Sequence, residues 1–218
     1  RDIGRTVIEP GSNGGPALAA AIRSSGADVI IMLLSAADQL RILEELDAEG
    51  ITIATTGFPY PETQSRAFFK ASAKVAPTLG IGHRATAWEA TIDAYGAREY
   101  NARYHLRWGG PMESPAWAVY HAVKILYETA VFGGSTETKD IMAQLMDPKS
   151  VFDLHKGVGV SFRPWDQQLR QSVYLIKING NATSTTSLAL LVGELPAIYM
   201  PGTELIERLD QLGDLAEQ

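Results

Sequence analysis

The chain has 218 residues, no cysteine and a formal net charge of -6. With 45% hydrophobic and 20% charged residues it reads as a globular chain, long enough for one large domain or one and a half small ones. The missing cysteines exclude disulfides, zinc–thiolate sites and cysteine nucleophiles. The acidic balance argues against nucleic acid, which needs a basic face, and against docking on anionic lipid.

Arg1-Asp2-Ile3-Gly4 has no apolar core behind it, so no signal peptide is read there. Thr6–Glu9 reads as a short strand, and Pro10–Gly15 as a turn. Pro16 suits the first position of a helix running to Ser25, with Gly26 as its C-cap. Val29–Leu34 is an uninterrupted apolar run, as in a parallel strand buried on both faces. Leu40, Leu43 and Leu46 repeat at helical spacing up to Gly50, and Ile51–Ala54 is the next strand. This βαβ alternation predicts an α/β fold with a parallel central sheet flanked by helices. Ligands on such sheets bind beyond the carboxyl ends of the strands, here Glu9–Gly11, Leu34–Ala36 and Thr55–Phe58.

Further on, a short helix is expected at Thr63–Lys74, and a long one from Thr86 or Thr91 through Trp108. Another runs from Ser114 to Phe132, with Trp117, Val119, Val123, Leu126 and Tyr127 as its buried stripe, and a third covers Thr136–Met146. Gly157–Phe162 and Ser172–Ile178 read as a hairpin with a long connection. One more strand and an acidic helical end complete the tail. Boundaries are expected near 110 and 150: an α/β domain over 1–110, two helices over 111–150, and a returning hairpin with the tail over 151–218.

Reactive constellations are missing from this pattern. Gly11-x-x-Gly14-Gly15 is neither G-x-G-x-x-G nor a P-loop, so it reads as a βα turn before it reads as a phosphate cradle. The histidines, His83, His105, His121 and His155, have no helical spacing between them, and His121 reads as a core residue. No G-x-S-x-G elbow is present, and Glu44-Glu45 reads as a solvated helix face. No catalytic residue, metal site or cofactor is expected. A binding site is expected instead, from Ser35, Thr55, Thr56 and Phe58 at strand ends together with the aromatics Trp88 and Trp117. Core packing is the competing reading for Trp88, and helix or strand capping for the hydroxyls.

Ala27–Ile31 with its following helix and strand resembles the second lobe of type I periplasmic binding proteins, the branched-chain amino acid receptor group of ABC importers. Trp117–Lys124 followed by Gly134-Ser135-Thr136 is similar to a late helix and turn of that group. The run from Lys156 to Gln171, with Thr86-Ala87-Trp88, Gly96-Ala97 and Arg103, resembles the substrate-binding proteins linked to PQQ-dependent alcohol dehydrogenase systems. Residues 58–82 look like extra length, and the family's first lobe has no counterpart ahead of Arg1. The resemblance implies the second lobe plus hinge-crossing elements of a two-lobe receptor. Such a receptor captures a small polar or amphipathic solute in the periplasm and delivers it to an inner-membrane permease, with the first lobe supplied by the rest of a precursor or by another chain. It also implies that 114–146 packs on that lobe. Two alternatives stay open: a ligand-sensing regulator on the same fold, and a doubly wound enzyme with a nucleotide at Gly11–Gly15. For Phe162–Gln171 there are likewise two readings. It presents Arg163, Trp165 and Arg170 to a partner, or Arg163 pairs with Asp166 while Phe162 and Trp165 fill the core.

Overall fold

The computed structural model describes residues 3–57, 60–196 and 204–210. In chain order its elements are α1 (Gly15–Ser25), β1 (Val29–Met32), α2 (Ala36–Ala48), β2 (Ala54–Gly57), α3 (Arg66–Val75), β3 (His83–Thr86), α4 (Ala97–Trp108), α5 (Ser114–Gly133) and α6 (Thr138–Leu145). They continue with β4 (Phe152–Asp153), β5 (Gly159–Val160), β6 (Val173–Ile178), β7 (Ala189–Leu195) and α7 (Leu205–Asp210). The described residues fall into two compact units, one of residues up to 86 with 175–192, the other of 87–174 with those from 193 on. The divisions lie at the end of β3 and inside β6 and β7.

In the first unit, β1 and β2 pair in parallel, from Val29 opposite Ala54 to Met32 opposite Gly57, with α2 as their crossover. Ser35 caps α2 by accepting the Asp38 N–H. At the other end Gly50, at φ 70°, lets the Gly50 N–H reach Asp47 O and the Ile51 N–H reach Leu46 O, both at 3.0 Å. Those two bonds satisfy carbonyls the helix leaves open. They also draw Ile51 into the cap, so β2 starts at Ala54, three residues later than expected.

Two expectations fail in this unit. Residues 6–9 form no strand, and Val7 is 87% exposed. Nor is β1 buried on both faces. Met32 points into a core with Leu43, Leu46, Ile51 and Leu79, while Val29, Ile31 and Leu33 are exposed. β3, β6 and β7 form a three-stranded sheet in that order, and Ile176, Ile178 and Ala189 pack on Phe68 and Phe69 of α3.

The second unit is built around Trp88, Tyr100, Trp117, Ile125, Leu154 and Tyr174. The expected helix from 86 or 91 begins only at Ala97, because Gly96 at φ 77° turns the chain into α4. α5 buries Ser114, Trp117, His121, Ile125 and Thr129. Of its expected stripe only Trp117 is inside; Val119, Val123, Leu126 and Tyr127 are exposed. The helix is apolar on more than one face, and the sequence reading chose the face this unit leaves uncovered. The expected hairpin is also replaced. β5 pairs antiparallel with β4, and Phe162 bridges Leu169, closing the connection on itself. Among the described residues no helix is long and apolar enough to cross a membrane.

Candidate functional site

Of the expected hydroxyls, Thr55 and Thr56 lie within β2, level with Ile30 and Ile31 of β1. Ser35 follows β1 and is exposed; its hydroxyl accepts the Asp38 N–H at 3.2 Å and donates to Asp38 Oδ2 at 2.7 Å. These bonds hold the Asp38 carboxyl below its usual range, with Ser35 the main cause and the Gly11 N–H next. Thr55 is buried and donates to Leu79 O at 3.0 Å; Thr56, one residue on, is half-buried. Phe58 lies outside the described residues. Gln39 of α2, which sequence reading missed, packs at the end of β2. It is fully buried and donates from Nε2 to Leu34 O at 2.9 Å. A Cβ on Gly57 would overlap its side chain, so glycine at the end of β2 is the only signal that pointed there.

The turn tested as a phosphate cradle is occupied by the protein itself. Gly14 and Gly15, at the start of α1, donate their N–H groups to Glu45 Oε2 at 2.7 and 3.1 Å, and Gly11 donates to Asp38 Oδ1 at 3.1 Å. Glu45 is half-buried and is not the solvated residue expected. It complements the positive end of α1 as an anion would.

Trp88 and Trp117 are brought together, inside the second unit. They are 1% and 3% exposed and stack with centroids 5.8 Å apart and planes 9° apart. Each indole N–H is satisfied: Trp88 Nε1 donates to Asn101 Oδ1 at 3.0 Å, and Trp117 Nε1 to Leu154 O at 3.1 Å. Both rings thus lie within the core of this unit.

Two titratable groups meet this core: Lys156, which sequence reading did not single out, and His121, expected there. Lys156, 1% exposed, donates to Gln171 Oε1 and Ser172 O, both at 2.8 Å. Its Nζ lies 4.4 Å from the Trp117 ring centroid and 5.1 Å from that of Tyr174. Burial pushes its pKa down to about 7, opposed by Glu194. His121 places Nδ1 2.9 Å from Trp117 O and Nε2 2.9 Å from His155 Nδ1. The carbonyl can only accept, so His121 donates from Nδ1 and accepts from His155 at Nε2. Burial pushes His121 down to about 4 and lowers His155 too. Among the described residues no three metal-binding side chains converge.

In the Phe162–Gln171 run, Arg163 is buried and grips Asp166 at 3.0 and 2.6 Å and Gln168 Oε1 at 2.7 Å. Arg170 grips Asp210 at 2.7 and 3.2 Å. The Arg163–Asp166 pair of the structural reading is made and Phe162 packs on the core, but Trp165 is exposed, held against both guanidinium groups.

A family model described as periplasmic binding protein matches residues 2–184. The chain belongs to the periplasmic binding protein family. Among solved structures it is similar to an amino acid ABC transporter substrate-binding protein from Pseudomonas fluorescens Pf-5, at 16% identity and TM-score 0.70, covering 89% of this chain and 51% of that one. A leucine-binding protein from Thermotoga maritima MSB8 gives 12% identity and TM-score 0.67, with 88% and 51% covered. A solute-binding protein from R. palustris, in complex with benzoate, gives 14% and 0.61, with 86% and 48% covered. Among curated proteins none matches by sequence. This periplasmic binding protein therefore has the type I fold of its family, which is one of binding proteins and not of enzymes. It spans about half the length of the structures it matches.

Proposed function

We propose that this chain is part of the solute-binding component of an ABC-type importer, working in the periplasm with an inner-membrane permease. The observation that carries the reading is the family match over residues 2–184. It is supported by a parallel strand pair, with Thr55 and Thr56 on β2 and Ser35 in the turn after β1. Ser35, Thr55, Thr56 and Phe58 are the proposed ligand contacts. The solute is a small polar or amphipathic organic molecule; the proteins similar to this one include a leucine-binding protein and one in complex with benzoate.

In this reading a further lobe, from a longer precursor or a second chain, completes the receptor. Val119, Val123, Leu126 and Tyr127 on α5, and Val29, Ile31 and Leu33 at β1, support it as exposed apolar surfaces of the kind a partner covers. The solute then selects a closed state by a hinge motion. The narrower link to PQQ-dependent alcohol dehydrogenase systems rests on the sequence of the Phe162–Gln171 run and its flanking matches. A thermal-shift screen of amino acids, short organic acids, amides and alcohols tests the proposal, since a ligand of the folded state raises Tm. A shift with one of these classes is expected. A shift with NAD or ATP alone rules the reading out.

A further inference from the structure

Arg84 lies on β3, two residues past Gly82, whose Cβ, if it had one, would sit 2.8 Å from Thr55 O. Its strand therefore runs beside β2 and the proposed contacts. Arg84 is 2% exposed. Its Nη1 is 3.4 Å from the carbonyl of its own neighbour His83, and its Nε and Nη2 have no hydrogen-bond partner among the described residues. Its guanidinium lies over the Phe68 ring, 5.6 Å from the centroid.

Three other buried arginines are not treated this way. Arg66 donates to Thr185 O at 3.1 Å, and Arg163 and Arg170 each hold a carboxylate. Burial pushes Arg84 down only to about 10, so it stays a cation at neutral pH. An interior cation without an anion is costly, and a fold under no other demand replaces it with an apolar residue of similar length. The planar guanidinium, with two donors left over, matches the two oxygens of a carboxylate.

We propose that Arg84 is the anion-recognition residue of the solute site, and that the solute is a carboxylate. This rests on the solute-binding reading above and adds the ligand class to it. The solute carboxylate accepts from Nε and Nη2 of Arg84.

The test compares the whole chain with its Arg84→Met and Arg84→Lys variants, by thermal melting and calorimetry, using benzoate and leucine against benzamide and leucinamide. The acids should raise Tm and the amides should not. Arg84→Met should melt higher than wild type without solute, because the unpaired charge is gone, and should bind the acids at least tenfold more weakly. Arg84→Lys should fall between. A lower Tm for Arg84→Met with unchanged acid binding makes the residue structural and overturns the proposal. So does equal binding of acid and amide, or binding of amides or alcohols alone, although the solute-binding reading then survives. If no organic probe binds while NAD or ATP raises Tm, both fail. If none of the probes binds, the carboxylate assignment fails.

Discussion

Glu45 Oε2 accepts the Gly14 N–H at 2.7 Å, tying the turn before α1 to the second half of α2. The same oxygen takes the Gly15 N–H, so one carboxylate satisfies two of the donors a helix start leaves open. Glu45→Ala should destabilise the fold by about 1–2 kcal/mol, by comparison with lost caps and helix-end charges. Urea denaturation measures this. ATP and NAD should leave the melting of the wild-type chain unchanged, because the turn's own anion is in place.

The pairing of His121 with His155 predicts acid sensitivity. Both have folded-state pKa values below the ordinary histidine value, His121 at about 4. As pH falls from about 6.5 the unfolded chain takes protons first, so stability is full above that pH and declines toward pH 4. For His121 the loss should reach roughly 3 kcal/mol by pH 4. Urea midpoints at pH 7.5, 6 and 4.5 should decrease in that order, and His121→Gln should flatten the trend.

Lys156 acts at the other end of the scale. Its folded pKa is about 7, against 10.5 for the ordinary side chain, so between these values the unfolded chain holds the extra proton. Its contribution to stability should rise with pH from 7 to 10.5, and Lys156→Met should abolish that rise. The variant also strips the donor from Gln171 Oε1 and Ser172 O, costing about 1–3 kcal/mol at neutral pH.

Trp88→Ala removes a ring stacked on Trp117 and edged by Tyr100, and should cost about 3–5 kcal/mol. Chemical denaturation separates this from an effect on solute binding alone, which would leave the midpoint in place.

Gln167 occupies the left-handed region at φ 59°, in the turn that Arg163 and Asp166 close. Glycine adopts that conformation without the Cβ clash, though it adds freedom to the unfolded chain. Gln167→Gly should raise stability by about 0.5–1 kcal/mol, measured as a higher Tm.

Local signals were legible in proportion to how local their physics is. Ser35 capping α2, Pro16 opening α1, Gly26 and Gly134 closing helices, and the β1–β2 crossover each depend on residues a few positions apart. Ile51 was misplaced because a cap and a strand start compete for the same apolar residue.

Sequence alone determined the alternation of strands and helices, the parallel pairing of β1 with β2, and the membership of a binding-protein family. Backbone periodicity and short-range caps carry that information along the chain itself. Only the tertiary structure decided which face of α5 is buried, that Glu45 fills the glycine turn, that His121 meets His155 across 34 positions, and that Arg84 is interior with Nε and Nη2 unpartnered among the described residues. Each of those depends on which distant side chains share a small, poorly hydrated volume, where burial and pairing outweigh any local preference.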